Sequence, residues 1–364
     1  LYGQERPLRL PILFLWQASI SEAKKIGEVN MGLSQTSAVF VLLFVTFLWG
    51  SWFQAVKHTG NYPIYVFLNW MYLFSVVIVW GAIFIFEDKM IPDGVFNEIA
   101  SDPGRVALVF LCGAVYAVGM QIQLSAVSRV GLILSSSITS TCSILSGVIV
   151  SAILGGVPEG ASLTMIMMSA VLLIGGTVVC QISGTMRDKD IKKGENKKTP
   201  LATKKQDIIL LIFASGILQP FFSIASSVGL KTDLRPEGFS SFTCMGILCL
   251  GAFVGTAGFS AIVVTKEKMW KKVIHPDVKI GVIIGMAVIS AFCHFGGNLL
   301  NAIAAPVVSI VIATGIGYSF GIWSYLWGIV YGEFSGAKKK TLGVLGGGLA
   351  FFIVGIVILT LNIT

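Results

Sequence analysis

Charged residues are scarce in this chain of 364 residues, where Asp, Glu, Lys and Arg together make up only 12% of the sequence. A soluble domain carries about 25% charged residues, because its surface must face water. Hydrophobic residues account for 55%, Gly occurs 41 times, and the mean hydropathy is +0.84. The shortage of charge argues against a soluble or nucleic-acid-binding protein and indicates a lipid bilayer as the surrounding medium.

Motifs for catalysis, metal binding and disulfide formation are also lacking. No CxxC or Cys/His ligand spacing occurs, and no HExxH, GxSxG or paired-aspartate arrangement stands in a context suited to catalysis. The cysteines all lie in apolar runs, where we expect small buried side chains: Cys112, Cys142, Cys180, Cys244, Cys249 and Cys293. We therefore expect neither an enzyme nor a resident metal or cofactor.

Ten apolar segments near 20 residues in length recur after residue 35, and each is long enough to cross a membrane as a helix. They lack the alternation of barrel strands. The segments are residues 36–56, 64–86, 105–127, 131–155, 162–184, 208–229, 239–264, 279–300, 304–331 and 342–363. The sequence thus predicts an all-α polytopic membrane protein with ten transmembrane helices.

The distribution of Lys and Arg predicts how the chain is inserted. Beyond the first thirty residues, 18 of these side chains follow odd-numbered segments and 4 follow even-numbered segments. By the positive-inside rule, the odd connections lie in the cytoplasm, and both ends of the chain from Met31 onward lie outside. We expect the plasma (cytoplasmic) membrane as the location.

The chain divides into four regions. Residues 1–30 are expected to be a leader that is not native or is disordered. A first five-helix repeat (31–185) and a second (208–364) flank a basic cytoplasmic linker (186–207), "MRDKDIKKGENKKTPLATKKQD". Because five is odd, the second repeat is inserted upside down relative to the first. Such inverted repeats are typical of secondary transporters, whose substrate site lies near the midplane between the halves.

Three stretches resemble a known family: "FLWGSW" (47–52), "GILQPFFSIASS" (216–227) and "CHFGGNLLNAIAAPVVSIVIATGIGYSFGIWSYLWGIVYGE" (293–333). With them, residues 36–363 resemble the ten-helix form of the drug/metabolite transporter superfamily, most closely the plant ureide permeases and the bacterial glucose/ribose and rhamnose uptake porters. The resemblance implies a transporter with outside termini and a cytoplasmic centre. Unlike the plant permeases, the linker has no GxxxxGK[ST], so we expect no nucleotide site.

Polar and aromatic side chains inside the segments are the candidates for solute binding. No Asp, Glu, Lys or Arg lies deep within a segment, which favours a neutral polar solute held by amides and ring faces. The candidate substrate-binding residues are Trp49, Trp52, Gln54, Asn69, Tyr116, Gln121, Gln219, His294, Asn298, Asn301, Tyr318 and Trp323. For any single Asn or Gln, a hydrogen bond between neighbouring helices is an equal alternative.

His294, Asn298 and Asn301 are spaced by four and three residues, so they share one face of a helix. This polar stripe predicts the wall of a water-filled cavity. Because an imidazole titrates near neutrality, His294 is also the candidate proton carrier.

The predicted function is therefore a proton-coupled secondary transporter for a small neutral polar solute, ureide or nucleobase-like, working by alternating access. Two alternatives within transport are a sugar uptake porter and an uncoupled facilitator. Outside transport, a membrane scaffold or a channel is the alternative, although no charged ring or TVGYG-like filter is present. The expected partners are the solute, protons and membrane lipid, and no nucleic acid.

Overall fold

The computed structural model describes residues 32–130, 132–191 and 205–363, and this part of the chain is helical without a β-strand. Its ten helices that are long and apolar enough to cross a membrane confirm the predicted number. They are α1 (Gln35–His58), α2 (Ile64–Met90), α3 (Pro103–Ala126), α4 (Ile138–Gly155), α5 (Leu163–Ile191), α6 (Lys205–Gly229), α7 (Ser241–Lys266), α8 (Ile280–Val308), α9 (Ile310–Val330) and α10 (Lys339–Thr360). The predicted leader, residues 1–30, lies outside the described residues.

The predicted linker is shorter than residues 186–207 at both ends. α5 continues as a helix to Ile191 and α6 begins at Lys205, while residues 192–204 lie outside the described part. The extra turn of α5 carries Asp190, whose Oδ2 accepts hydrogen bonds from Lys338 N at 3.1 Å and Thr341 Oγ1 at 2.6 Å. This carboxylate therefore joins the last turn of α5 to the start of α10, which favours continuation of the α5 helix past the apolar segment.

α8 and α9 meet at an almost absent connection, as the sequence indicates around Pro306, but α8 is longer than its apolar segment. The sequence predicts that the helix ends at residue 300, yet α8 continues through Pro306 to Val308, and Ser309 alone separates it from α9. A proline leaves the carbonyl four residues earlier without its helical donor. Here that carbonyl, Ala302 O, accepts a hydrogen bond from Ser241 Oγ of α7 at 2.7 Å. The neighbouring helix thus satisfies the group that Pro306 frees.

Irregular turns interrupt four of the helices. The last part of α1, Trp52–His58, is a 3-10 helix, and α9 contains a 3-10 turn at Tyr318–Phe320. π-helical turns occupy Ala214–Leu218 in α6 and Phe292–Gly296 in α8. Such turns are frequent at functional sites. Each of the four contains or adjoins a candidate residue from the sequence.

Helices pack closely where glycine removes the side chain between them. A Cβ on Gly251 of α7 would lie 1.9 Å from Phe110 O of α3, so these two backbones are in direct contact. A Cβ on Gly348 of α10 would lie 2.7 Å from Cys180 N of α5. Close approach through small residues is the usual way in which membrane helices associate.

Three buried hydrophobic clusters lie among the described helices, and the smallest joins the end of α1, the start of α2 and the start of α8. Of the two larger clusters, one is built mainly from α2, α3 and α7 with parts of α6 and α8, and the other from α1, α4, α5, α9 and α10 with the last turns of α8. Large apolar side chains also cover the exterior, as expected for a surface that faces lipid: Phe40, Val77, Ile85, Ile153, Val171, Ile262 and Ile353 are among them. We call the end of the bundle at which odd-numbered helices finish the basic end, because most Lys and Arg lie there.

Candidate functional site

A cavity of about 290 Å³ lies within the helix bundle. Its wall is formed by α1, α3, α4, α5, α6, α8 and α9, whereas α2, α7 and α10 contribute none of its lining residues. By their positions along the helices, Asn301 and Thr314 mark its deep part, and Lys57, Arg187 and Glu333 form a rim at the basic end. The volume is close to the lower limit of small-molecule sites, about 300 Å³.

His294 occupies the π-turn of α8, is only 3% exposed, and is surrounded by aromatic rings. Its Nε2 lies 2.9 Å from the Tyr116 hydroxyl, and the two ring planes are 7° apart. The Trp52 ring centroid lies 5.1 Å away, and Tyr72 meets the imidazole edge-on at 5.8 Å. The other imidazole nitrogen, Nδ1, has no hydrogen-bond partner. The rings thus fix the imidazole in place and leave one polar atom unused.

Asn298 and Asn301 follow His294 on α8 and are 1% and 4% exposed. Asn298 lies beside the Tyr116 hydroxyl, but neither its Oδ1 nor its Nδ2 completes a hydrogen bond, and Asn301 Nδ2 also lacks a partner. Trp49 Nε1 and Gln54 Oε1, on the facing helix α1, are likewise unpaired. Buried polar atoms without partners are rare in folded proteins, and a group of them around one cavity indicates a site for water or a ligand.

Two aromatic side chains of the cavity pack directly against glycines, whose missing side chains leave room for the rings. A Cβ on Gly297 would lie 2.7 Å from Trp49 Nε1, and a Cβ on Gly317 would lie 2.6 Å from the same indole ring. Trp49 of α1 is therefore held between α8 and α9 by two residues that have no side chain. In the same way, the Tyr318 ring rests on Gly147 of α4, whose Cβ would lie 2.4 Å from it.

Gln219 lines the cavity but uses its amide to join helices. It follows the π-turn of α6 and precedes Pro220. Its Nε2 donates to Gln123 Oε1 of α3, and its Oε1 accepts from Ser143 Oγ of α4 at 2.9 Å. Gln219 therefore links three cavity helices at the point where α6 is irregular.

Three candidate residues lie outside the cavity, in hydrogen bonds between helices. Gln121 Nε2 of α3 donates to Ser260 Oγ of α7 at 3.1 Å, and Ser260 Oγ donates to Asn69 Oδ1 of α2 at 3.0 Å. Trp323 Nε1 of α9 donates to Thr46 Oγ1 of α1 at 2.9 Å. For Gln121 and Asn69, the structure places the side chain where the interhelical alternative predicts it, because the Ser260 hydroxyl pairs with both amides. Trp323, for which the sequence offered no such alternative, also pairs with a hydroxyl of a neighbouring helix and does not line the cavity.

The other nine candidate residues all line the cavity: Trp49, Trp52, Gln54, Tyr116, Gln219, His294, Asn298, Asn301 and Tyr318. They come from five helices that are distant in the sequence, and the fold brings them to one place. The stripe of His294, Asn298 and Asn301 faces this cavity as its spacing indicates. Their role in binding a solute stays a prediction.

Sequence reasoning did not identify the rim of the cavity as part of the site. Lys57, Arg187 and Glu333 line it at the ends of α1, α5 and α9. From the sequence, Lys57 and Arg187 indicate only the orientation of the chain, and Glu333 is expected to be a helix-end group that binds no ligand. Their one distinguishing signal is that each lies within a turn of an apolar segment.

In residues 32–130, 132–191 and 205–363, no group of three or more His, Cys, Asp or Glu side chains is arranged to hold a metal ion.

Comparison with known proteins finds similarity at the level of fold. No family model and no curated protein matches the chain. One solved structure, described only as a "Crystal structure of protein", matches with a TM-score of 0.59 and 16% sequence identity, over 91% of this chain and 98% of its own. At this identity the likeness indicates a shared fold alone.

Proposed function

We propose that this protein is a secondary transporter that carries a small neutral polar solute across the membrane by alternating access. The observation that carries the proposal is the cavity in the bundle, lined by unpaired buried amides and aromatic faces. A membrane scaffold has no use for buried polar atoms that no protein group pairs with, since burying such atoms costs free energy. A solute that pairs with them during transport explains why they are retained.

An arrangement of two inverted five-helix repeats is part of this proposal, and the packing of the helices supports it. If each helix number is advanced by five, contacting pairs become other contacting pairs. The pair α3–α7 becomes α8–α2, α1–α8 becomes α6–α3, and α4–α6 becomes α9–α1, while α2–α7, α4–α9 and α5–α10 map onto themselves. This is the pattern that a two-fold axis between the halves produces.

The connections repeat in the same way. Short helices occur after α2 (Val95–Ser101) and after α7 (Trp270–Ile274). The turns after α4 and after α9 each carry two glycines four residues apart with positive φ, namely Gly156 and Gly160 at 78° and 85° and then Gly332 and Gly336 at 72° and 85°. Only glycine adopts such angles readily, so the spacing marks equivalent turns.

The distribution of charge around the cavity supports a neutral solute. Among its lining residues, Lys57, Arg187 and Glu333 are charged, and all three stand at the rim. The deeper wall offers amides, hydroxyls and rings, which hold uncharged polar groups without a counter-ion. An ionic solute would have to leave water without a charged partner at the deep site, which is costly.

Ureides and nucleobases are the first substrate class that we propose, and sugars are the alternative. Both carry several hydrogen-bonding groups and flat or weakly polar faces. Purified protein in liposomes, tested for uptake of radiolabelled allantoin, uracil, glucose and rhamnose, separates the classes. Saturable uptake of one of them is expected, and the Asn298→Leu protein is the matched control. Uptake of a cationic drug with no uptake of the four solutes would contradict the neutral-solute proposal.

Coupling to protons through His294 is the proposed energy source. The imidazole lines the cavity, and Nδ1 is free of protein partners, which leaves it able to exchange a proton with the solute or with water. An uncoupled facilitator is the rival, and one observation favours it: aromatic rings surround the imidazole, and the one carboxylate among the described lining residues, Glu333, stands at the rim. Membership of the drug/metabolite transporter superfamily and a plasma-membrane location, with the basic end cytoplasmic, complete the proposal.

A further inference from the structure

Different contacts join the helices at the two ends of the cavity. At the end opposite the basic end, helices touch directly: a Cβ on Gly155 of α4 would lie 3.2 Å from both Ile310 Cβ of α9 and Ser227 Oγ of α6. Arg235 also joins α4 and α6, donating to Ser227 O at 2.8 Å and to Leu154 O at 3.3 Å. This end is therefore closed by close helix packing.

At the basic end, charged side chains connect the helices. One carboxylate, that of Glu333, binds two cations with its two oxygens. Lys57 Nζ lies 3.0 Å from Oε1, and Arg187 Nη1 lies 3.2 Å from Oε2. Lys57 comes from the end of α1, Arg187 from the end of α5, and Glu333 from the turn after α9. The Glu333 carboxylate thus connects the ends of three helices that line the cavity.

The turn after α9 is shaped to present this acid. Glu333 N donates to Gly328 O at 2.9 Å, and Gly332 adopts a φ of 72° that lets the chain fold back. The aromatic residues on either side of the acid then contact its cations. Lys57 Nζ lies 4.2 Å from the Tyr331 ring centroid, and the Arg187 guanidinium lies 5.1 Å from that of Phe334. Residues 331–334 therefore bind both cations, through ion pairs to the carboxylate and cation–π contacts to the two rings.

The ion pairs of Glu333 connect α5 and α9 at the rim, whereas these two helices pack against each other at a different level of the bundle. α9 packs against α5 through its first segment, Ile310–Gly317, which lies away from the rim. Near the rim, the described contact between Arg187 and Glu333 makes this connection. Lys57 and Arg187 belong to the first five-helix half and Glu333 to the second, so the ion pairs link the halves across the cavity rim.

We propose that Glu333 is a latch: a positioning residue whose two ion pairs hold the rim narrow and must break for the basic end to widen. The latch rests on the proposed transport function for its purpose, while its geometry stands on the contacts above. The Lys57 and Glu333 side chains are 37% and 34% exposed, and Arg187 is 16% exposed. Pairs that water reaches in this way are weak, so the latch opens without a large barrier.

Thiol labelling tests the latch without any need for transport. In a protein whose native cysteines are replaced by alanine, Ser140→Cys places one thiol on the cavity wall of α4, away from the network. Its reaction rate with a charged maleimide in detergent reports how often the rim widens. Glu333→Gln is expected to raise this rate about fivefold, which is the effect of losing two partly exposed ion pairs. Glu267→Gln, an exposed acid at the same end but outside the cavity, is the matched control and should leave the rate unchanged.

A double-variant comparison separates the latch from a general loosening of the fold. Arg187→Gln should also raise the rate, but adding it to Glu333→Gln should raise it no further, since the shared contact is already lost. If Glu333→Gln does not fold, Lys57→Met with Arg187→Met breaks the same contacts from the other side. Equal labelling rates in folded Glu333→Gln and the parent protein would overturn the latch, even if transport is found. Faster labelling in a protein that transports none of the solutes would leave the latch standing and overturn the proposed function.

Discussion

The hydroxyl of Tyr116 and Nε2 of His294 lie 2.9 Å apart, with the two rings nearly parallel. This contact is buried and gives one of the two imidazole nitrogens a hydrogen-bond partner. Tyr116→Phe keeps the ring and leaves a buried ring nitrogen without its partner, so we expect a loss of about 1–3 kcal/mol in the free energy of unfolding. Thermal or denaturant unfolding in detergent measures it.

Tyr72→Phe is the control for this loss. Tyr72 also contacts the His294 ring, but the hydrogen-bond partner of its hydroxyl among the described residues is Met120 Sδ, at 3.5 Å. A thioether is a weak acceptor, so this variant should lose much less stability. Equal losses in the two variants would show that the hydrogen bond between Tyr116 and His294 contributes no more to the free energy of unfolding than the contact of Tyr72 with Met120.

Asn298→Leu is expected to separate stability from function. Neither polar atom of Asn298 completes a hydrogen bond to the described residues, so an apolar side chain of similar size should leave the free energy of unfolding unchanged or raise it. Uptake in liposomes should fall about tenfold or more, because the solute loses its hydrogen bonds there.

Gln121→Leu should behave in the opposite way. Gln121 donates to Thr256 O and to Ser260 Oγ, both at 3.1 Å, and lies outside the cavity. Its replacement should cost about 1–3 kcal/mol of stability, and the protein that still folds should transport normally. A selective loss of uptake in Gln121→Leu, with Asn298→Leu unaffected, would place the solute site elsewhere.

His294→Gln tests proton coupling. If the imidazole carries the proton, this variant should lose accumulation driven by a pH gradient and keep exchange of labelled for unlabelled solute, which needs no net proton movement. Uptake with and without an imposed gradient, and counterflow in the same liposomes, measure the two activities. Full accumulation with unchanged pH dependence would remove His294 from the coupling mechanism.

Gly251→Ala tests the packing of α3 on α7. The added Cβ would lie 1.9 Å from Phe110 O, so the helices must separate, and we expect a loss of about 1–3 kcal/mol or failure to fold. Gly258→Ala on the same helix meets no atom within 4 Å and should be neutral or gain at most about 1 kcal/mol from helix propensity. Size-exclusion profiles and thermal unfolding of the two variants provide the comparison.

The orientation of the chain is tested with single cysteines in the cysteine-free protein. Asp93→Cys lies in the exposed connection after α2, and Glu267→Cys lies in the exposed connection after α7 at the basic end. A maleimide that does not cross membranes should label Asp93→Cys in whole cells and should label Glu267→Cys only after lysis. The reverse pattern would invert the proposed topology.

The sequence predicted the transmembrane helices well, because length and hydropathy are local properties. It placed the end of α5 at residue 184, whereas the helix continues to Ile191, since a helix that leaves the membrane into water gives no hydropathy signal. It also ended α8 early, because the hydrogen bond from Ser241 that supports the turn at Pro306 comes from another helix. Tertiary contacts decided both boundaries.

The candidate site was predictable in part for the same reason. The spacing of His294, Asn298 and Asn301 is local and indicated their common face. Whether Gln121 faces a cavity or another helix depends on Ser260, which is 139 residues away. The rim depends on Lys57 and Glu333, which are 276 residues apart and carry no pattern that links them.

Ser309 has a φ of 96°, an angle uncommon for a residue with a side chain, and it is the single residue between α8 and α9. A link this short keeps the end of α8 against the start of α9, so the two helices form an elbow. His294 and Asn298 stand on one arm of the elbow, and Thr314 and Tyr318 stand on the other. Any tilt of one arm swings the other about Ser309, and the amide face and the aromatic face of the cavity then change position together.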